Sequence, residues 1–256
     1  MSFAAGVLVG VGVGPGAPDL MTLRAVNVLR TADVLAIPRR SQYDESVAWR
    51  IAKGNVGEVA GQERLYLTFP MTKDPAILRP AWQTAFEQLA VPLAAGKRVA
   101  FLTEGDPLVY STFIYLMNEV PARFPGTRIE VVPAVSSITA VPAAALIPIA
   151  DGQERIAILP ATYGTADLVR VLRDFDTVLL MKVSSVMPAV VDALEQEGLL
   201  DRAVYVSKAS TPQEKIIRDL RSIRNDRCDY FSMVVVAKKD RSGVLAGTSA
   251  LREAKP

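Results

Sequence analysis

Short runs of apolar residues alternate along the chain with longer segments in which apolar positions recur at helical spacing. Residues 7–13, VLVGVGV, form a continuous apolar run that contains glycines, which is typical of a buried strand leading into a turn. Residues 20–31 follow with the spacing of a helix, and Pro18 and Asp19 suit its first turn and its N-cap. This alternation predicts an α/β fold with mostly parallel sheets.

The same alternation continues to residue 237. Seven further strands are predicted at residues 34–37, 98–103, 128–132, 155–159, 177–183, 203–207 and 230–237. Six further helices are predicted at residues 44–53, 74–95, 111–120, 136–146, 165–173 and 187–197. Segment 121–126, PARFPG, is the best candidate for a domain boundary. We therefore expect two α/β domains, 1–122 and 123–240, followed by a polar tail, 241–256, that we expect to be flexible.

The composition excludes several classes of chemistry. The chain has no histidine, which excludes the usual Ser-His-Asp and Cys-His catalysis and HExxH zinc sites. Its single cysteine, Cys228, excludes an internal disulfide and a cysteine-cluster metal site, so no metal ligands are predicted. A net charge of +2 is too small to argue for a nucleic-acid or membrane partner. The apolar runs are too short to cross a bilayer, and residues 1–16 lack the basic start of a signal peptide. We therefore expect a soluble cytoplasmic protein.

Basic residues recur at every third position late in the chain. These residues are Lys215, Arg218, Arg221, Arg224 and Arg227. At about 3.6 residues per turn, a spacing of three drifts around a helix instead of forming one face. We therefore predict a solvated helix here and not a nucleic-acid surface.

The glycine-rich segment after the first strand admits three interpretations. Gly12, Gly14 and Ala17 fit the pattern GxGxxA of a dinucleotide site, and the arginines after Pro38 would suit the 2′-phosphate of NADP. This would make the chain an NADP-dependent oxidoreductase, or a nucleotide-binding module without catalysis. Against it, Pro15 lies inside the turn and has no N–H to donate to a phosphate. The other interpretations are a tight turn that merely needs glycine, and a turn whose backbone lines a nucleotide site without phosphate.

A second candidate loop follows the strand 98–103. It reads Glu104-Gly105-Asp106-Pro107 and places acids at the carboxyl edge of a parallel sheet, where ligands bind in such folds. Gly105 would let a ligand approach the backbone, and Pro107 would stiffen the turn. The alternative is an ordinary turn in which Asp106 serves as a cap.

Three segments, taken in order, resemble the tetrapyrrole methylases, which transfer a methyl group from S-adenosylmethionine (SAM). They are GVGPGAPDLMTLRA at 12–25, VAFLTEGDPLVYSTFIYL at 99–116 and VVPAVSS at 131–137. Further segments narrow the resemblance to members of the cobalamin pathway: LYLTFPMTKD at 65–74, YSTFIYL at 110–116 and YFSMVVVAKK at 230–239. The resemblance covers nearly the whole chain, and the order and spacing of the segments make it specific.

This resemblance implies two α/β domains with the active site in the cleft between them, usually in a homodimer. It also implies which residues bind SAM and its product S-adenosylhomocysteine (SAH). Carried over position by position, these are Pro15, Glu104, Gly105, Asp106, Val109, Ser136, Ser137, Met181 and Ala209. For Asp106 we expect a binding role and not a chemical one: it could accept a hydrogen bond from the cofactor's amino group, or it could order the loop. One departure is Ala134, because the family commonly has glycine after the proline at this point.

The implied acceptor is a tetrapyrrole that carries acetate and propionate groups, and carboxylates call for cationic partners. The predicted substrate-binding residues follow predicted strands and are Arg39, Arg40, Lys182 and Lys208. For each of them the alternative is a solvated surface cation. Tyr110, just after the second candidate loop, is the candidate catalytic residue: it could position a meso carbon or relay its proton. The alternative for Tyr110 is an aromatic packed under the helix.

Overall fold

In the computed structural model, residues 6–162 and 164–239 are described. They divide into two compact units, the first ending at Ser137 and the second beginning at Ile138. Each unit is built of helices packed on one five-stranded sheet. The tail predicted to be flexible, 241–256, lies outside the described residues.

The sheet of the first unit is wholly parallel. Its strands are β1 (Val7–Gly12), β2 (Val34–Arg39), β3 (Glu63–Thr68), β4 (Arg98–Thr103) and β5 (Arg128–Val132). They lie in the order β3-β2-β4-β1-β5. The inner strand β1 is buried along its whole length, because helices cover both faces of the sheet. That double burial explains why its sequence is continuously apolar.

Four helices cover this sheet, two on each face. They are α1 (Leu23–Thr31), α2 (Val47–Val56), α3 (Pro75–Ala94) and α4 (Phe113–Arg123). One core joins α1 and α2 to alternate residues of the strands, and a second core joins α3 and α4 to the intervening ones. The cap of α1 is Thr22, whose hydroxyl accepts from the Ala25 amide at 3.1 Å, and not Asp19. Asp19 instead lies in a separate 3₁₀ turn, Pro18–Leu20.

The sheet of the second unit is mixed. Its strands are β6 (Ile156–Pro160), β7 (Thr177–Met181), β8 (Ala203–Ser207), β9 (Lys215–Ile217) and β10 (Ser232–Ala237). They lie in the order β6-β7-β10-β8-β9, and only the β6–β7 pairing among these strands is parallel. The helices of this part of the chain are α5 (Ser137–Ala145), α6 (Thr165–Asp174) and α7 (Met187–Gln196). Across the described residues five of eight strand pairings are parallel, which confirms the predicted fold class.

The boundary between the units differs from the predicted one. We expected the second domain to begin at residue 123, but β5 pairs with β1 and completes the first sheet, so the first unit continues to Ser137. The segment taken for a linker is partly helical, since α4 continues through Pro121 to Arg123. The boundary is set by strand pairing between distant segments, which the local content of Pro and Gly does not reveal.

The solvated helix predicted around residues 215–227 is also wrong. Lys215–Ile217 form the edge strand β9, which pairs antiparallel with β8, and Leu220–Ile223 form a 3₁₀ turn. Leu220 and Ile223 are buried in the core of the unit, so their burial decides the local structure and the basic spacing does not. Among the described helices, none is long and apolar enough to cross a membrane.

An ion pair between β4 and β5 makes stability depend on pH. Arg98 donates to both carboxylate oxygens of Glu130, at 2.6 and 3.3 Å, and these bonds hold the pKa of Glu130 below its usual range. A carboxyl group with a lowered pKa stabilises the fold above its unfolded pKa, and this contribution disappears as the pH falls through the folded value. Because both side chains are about one-third exposed, we expect the ion pair to contribute only about 0.5–1 kcal/mol to the free energy of unfolding.

Glu130→Gln should therefore flatten the pH dependence of the unfolding free energy on the acid side. Denaturant unfolding at neutral pH and at several values below 4.5, the usual pKa of glutamate, would measure this. Glu58→Gln is the control, because Glu58 is almost fully exposed and lies 3.7 Å from Arg64. If the Glu130 and Glu58 variants lose stability with acid as steeply as the unchanged protein, the ion pair contributes nothing measurable.

Candidate cofactor site

The chain leaves the carboxyl ends of β1 and β4 toward opposite faces of the first sheet. After β1 it continues to α1, and after the neighbouring strand β4 it continues to α4, which lies on the other face. In open α/β sheets, ligands bind in the crevice that such a reversal creates. The glycine-rich turn and the loop 104–107 are the segments that lie there, so both predicted motifs belong to one place in the first unit.

Backbone hydrogen bonds join the two loops beyond the ends of their strands. The Val13 amide donates to the Thr103 carbonyl at 2.9 Å, and the Gly105 amide donates to the Gly14 carbonyl at 2.8 Å. Gly14 and Gly105 have φ of +85° and +66°, in the left-handed region that favours glycine. A Cβ built on Gly105 would meet nothing within 4 Å, so its backbone faces open space that a ligand could enter.

Gly12 is the point at which three loops touch. A Cβ atom there would lie 2.6 Å from the Gly105 carbonyl oxygen, 2.6 Å from Cβ of Ala134 and 2.9 Å from Cδ of Pro107. No real Cβ atom approaches its neighbours so closely. The loops after β1, β4 and β5 are therefore packed together around a residue without a side chain. These are the three segments on which the resemblance rests.

Asp106 ties two of these loops together. Its Oδ1 accepts from the Leu108 amide and its Oδ2 accepts from the Ala134 amide, both at 2.9 Å. Both carboxylate oxygens thus already have backbone donors within the protein. Of the two predicted roles of Asp106, this geometry supports the ordering of the loop. A bond from the cofactor's amino group stays a prediction. The alanine in place of the family's glycine supplies one of these donors through its amide.

Glu104 is half-buried at the end of β4. Desolvation by burial raises the pKa of its carboxyl to about 7, and the positive charges of Arg50 and Arg40 oppose this shift only in part. Arg50 lies on α2 and did not emerge as a candidate from the sequence, because nothing in the helical pattern distinguishes it from a solvated arginine. The structure thus adds one cation to those predicted at this edge.

Arg39 is built into the end of β2. Its Nη1 donates to the Gln42 carbonyl at 3.1 Å, and its guanidinium lies 5.2 Å from the centre of the Tyr66 ring. Its Nε is buried and has no hydrogen-bond partner among the described residues. Arg40, the next residue, is exposed. A substrate carboxylate would therefore meet, at Arg39, a guanidinium that contacts within the protein hold in place. At Arg40 it would meet a long side chain that is exposed to solvent.

Tyr110 adopts a conformation that is rare for a side chain of its size. Its φ is +52°, and its side chain is 46% exposed, so it does not pack under the helix as an ordinary core aromatic. It follows Val109, whose amide donates to the Asp106 carbonyl at 3.2 Å. Backbone strain of this kind costs about 1–3 kcal/mol and is concentrated at functional sites. The predicted catalytic role of Tyr110 stays a prediction.

The remaining predicted residues of the first unit are two serines after β5 and Pro15. Ser136 and Ser137 are both half-buried, and Ser137 is the first residue of α5. Pro15 is likewise half-buried, in the turn after β1. The structure therefore brings Pro15 and the loop 104–109 to one sheet edge, with the segment that leads to the serines packed against both at Gly12.

In the second unit, four predicted residues follow β7 and β8. Met181 ends β7 and Lys182 follows it, while Lys208 and Ala209 follow β8. Both lysines have positive φ, +57° and +49°, although neither is a glycine. Lys208 is ion-paired with Asp229, with Nζ 3.0 Å from Oδ2, so a substrate carboxylate would compete with a carboxylate of the protein. Since β10 runs antiparallel to both β7 and β8, the four residues share one edge of this sheet.

The turn after β1 does not match a dinucleotide fingerprint in its surroundings. That fingerprint places the pyrophosphate at the N-terminus of the helix that opens directly after the glycines. Here a 3₁₀ turn intervenes, and α1 begins only at Leu23. Together with Pro15, which has no amide hydrogen, this argues against the NADP hypothesis. In the described residues, no group of three or more cysteines and acidic residues is placed to hold a metal ion.

The fold and this edge of the first sheet define an α/β protein whose switch-point loops suit a ligand without a pyrophosphate. A family model described as tetrapyrrole (corrin/porphyrin) methylases matches residues 7–223. The chain belongs to this family, as predicted.

Individual members of the family are similar to this chain over nearly its full length. The chain is 34% identical over 235 residues to the cobalt-precorrin-2 C(20)-methyltransferase of Salmonella typhimurium, covering 91% of this chain and 97% of the relative. It is 35% identical to the precorrin-2 C(20)-methyltransferase of Sinorhizobium sp, covering 92% and 97%. Among solved structures, uroporphyrin-III C-methyltransferase from Thermus thermophilus, complexed with S-adenosyl homocysteine, superposes with a TM-score of 0.65 at 20% identity. It covers 91% of this chain and 92% of its own, and this likeness supports the fold.

Proposed function

We propose that the chain transfers a methyl group from SAM to C20 of precorrin-2, giving precorrin-3A and SAH in cobalamin biosynthesis. The observation that carries this proposal is the similarity to relatives named as C20-methyltransferases, which extends over nine-tenths of the chain. The segments at 65–74, 110–116 and 230–239 also resemble methylases of the cobalamin pathway. Relatives named for the cobalt-containing acceptor favour a second candidate substrate, cobalt-precorrin-2.

The loops of the first unit fit SAM better than a dinucleotide. SAM carries no phosphate, so the missing amide hydrogen of Pro15 is no disadvantage, and the open backbone at Gly105 allows a close approach. Of the predicted cofactor residues, we propose that Pro15, Gly105 and Val109 contact SAM directly and that Asp106 holds their loop in place. The predicted contributions of Ser136, Ser137, Met181 and Ala209 stay predictions.

SAM brings an activated methyl group, so the protein needs no nucleophile of its own. What its residues contribute is alignment of donor and acceptor, and such alignment lowers barriers by several kcal/mol, up to about 7–11 kcal/mol in model reactions. Backbone carbonyls of the turns 10–16 and 103–105 supply dipoles toward a positive charge that disappears during transfer. Arg39 and Arg40, and the lysines at 182 and 208, stay predicted partners of the substrate's carboxylates, and we add Arg50 to them.

Binding of SAH, compared with binding of NADP, tests the class of enzyme. We expect SAH to raise the melting temperature of the full chain and to bind with micromolar affinity in calorimetry, and we expect NADP to do neither. Incubation with SAM and metal-free or cobalt-loaded precorrin-2 then identifies the acceptor by the mass of the product. Binding of NADP without binding of SAH would contradict the proposal. Assembly as a homodimer and a cytoplasmic location stay predictions.

A further inference from the structure

Glu104 faces the helices α1 and α2. In β4, Ala100 and Leu102 pack in the core that contains these helices, whereas Val99 and Phe101 pack on the opposite face. Thr103 continues the second set, since its hydroxyl lies 2.9 Å from that of Ser111, just before α4. Glu104 therefore continues the alternation on the same face as Ala100 and Leu102. This agrees with the electrostatic influence on Glu104 of Arg50, which lies on α2.

The carboxyl group of Glu104 makes no hydrogen bond within the described part of the chain. Other acids of this unit differ: Asp106 accepts two backbone amides, and Glu130 is held by Arg98. The charged groups that act on Glu104 are Arg50 from α2 and Arg40 from the loop after β2. A half-buried carboxyl without a partner, at the crevice edge, is able to exchange a proton.

We propose that the Glu104 carboxylate accepts the proton that C20 of the substrate loses on methylation. The proposal rests on the proposed function. An electron pair of the electron-rich C20 forms the new C–CH₃ bond, while the S–CH₃ bond breaks and leaves its pair on the sulfur of SAH. The C20–H bond then breaks, its electron pair returns to the conjugated ring, and the proton moves to an oxygen of Glu104. The proton later passes to water, which restores the carboxylate.

The two arginines connect this step to substrate binding. Both now favour the ionised form of Glu104, because each is a nearby positive charge. When acetate or propionate groups of the substrate pair with them, this charge is offset and Glu104 becomes a stronger base. Burial acts in the same direction and gives the carboxyl a pKa of about 7, close to the pH at which a general base is most effective. The chain has no histidine that could perform this task.

Glu104→Gln tests the proposal, since the amide keeps the size of the side chain and cannot accept the proton. In single-turnover reactions with SAM and precorrin-2, we expect product formation to slow about 10²-fold, the low end of what a positioned base contributes. Wild-type rates should rise with pH through about 7 and then level, because the carboxyl must be ionised, and the variant should lose this rise. Glu104→Asp should restore both the rise and part of the rate.

Calorimetry with SAH separates this proposal from the proposed function. Glu104→Gln should bind SAH within threefold of wild type, because the backbone of the loop makes the cofactor contacts. Glu87→Gln, on the exposed side of α3, should leave rate and pH profile unchanged. If Glu104→Gln binds SAH and forms product at the wild-type rate, or keeps the rise near pH 7, Glu104 is not the acceptor. If the wild-type protein binds SAH but methylates neither acceptor, the proposed function fails instead.

Discussion

Gly12→Ala should abolish SAH binding, with an affinity loss of more than about 10³-fold. The new methyl group would lie 2.6 Å from a carbonyl oxygen of Gly105 and from Cβ of Ala134, and neither atom belongs to a flexible side chain end. The loops after β1, β4 and β5 must therefore separate. Overpacking of this kind costs about 1–3 kcal/mol of stability. The loss of affinity should be larger than this cost alone implies, because all three displaced loops are expected to contact or support the cofactor.

Gly54→Ala is the matched control. Gly54 lies inside α2, and a Cβ there would meet nothing within 4 Å. Alanine is favoured over glycine in a helix by about 0.5–1 kcal/mol, so this variant should be slightly more stable and bind SAH as before. Calorimetry and denaturant unfolding on both variants measure the two effects separately. If Gly12→Ala bound SAH normally, the convergence of the loops would not be the basis of the site.

The strands that the sequence predicts best are those buried on both faces or closed by clear turns. The bounds predicted for β4, β5 and β8 agree with the structure, because each is a short run rich in apolar or β-branched residues between polar residues or proline. The edge strands β3 and β9 were missed. β3 begins with two charged residues, Glu63 and Arg64, and half of its residues are exposed, while β9 has only three residues, so neither presents the long apolar run that the prediction depends on.

The candidate site was predictable as a set of loops but not as a set of contacts. Gly12, Gly105 and Ala134 were each singled out locally, whereas their packing against one another depends on the order of β4, β1 and β5 in the sheet. Two roles stayed open for Asp106 for the same reason, since its partner Ala134 lies 28 residues away. Arg50 was missed because an exposed arginine on a helix carries no local signal of the acid that it faces.

Positive φ at non-glycine residues is a signal that the sequence did not reveal. Among the described residues, Tyr110, Leu146, Lys182, Lys208 and Ser210 adopt it. Three of these five, Tyr110 and the two lysines, were named as candidates on other grounds, namely their places just after the loop 104–107 or after a strand. Such conformations persist only where the surrounding structure holds them. Their coincidence with predicted site residues strengthens the case that these strand ends are functional in each unit.

Asp106→Ala should weaken SAH binding by about 10²- to 10³-fold. Two hydrogen bonds from backbone amides to the carboxylate disappear, and bonds to a charged group contribute about 1.5–3 kcal/mol each. The loop 104–109 and the segment at Ala134 then lose their connection, and a cofactor has to restore their arrangement at the expense of its own binding energy. A loss of about 3–4 kcal/mol corresponds to the stated range of affinity.

Asp74→Ala separates loop ordering from general destabilisation. Asp74 is the N-cap of α3, and its Oδ1 accepts a similar local bond from the Ala76 amide at 2.9 Å. Loss of this cap should cost about 1 kcal/mol of stability and leave SAH affinity unchanged. If Asp106→Ala lowered stability as much as Asp74→Ala and left affinity equally unchanged, the loop would not need its tie to Ala134. A fall in affinity confined to the Asp106 variant would instead mean that one carboxylate, which need not touch the cofactor, holds the backbone that does.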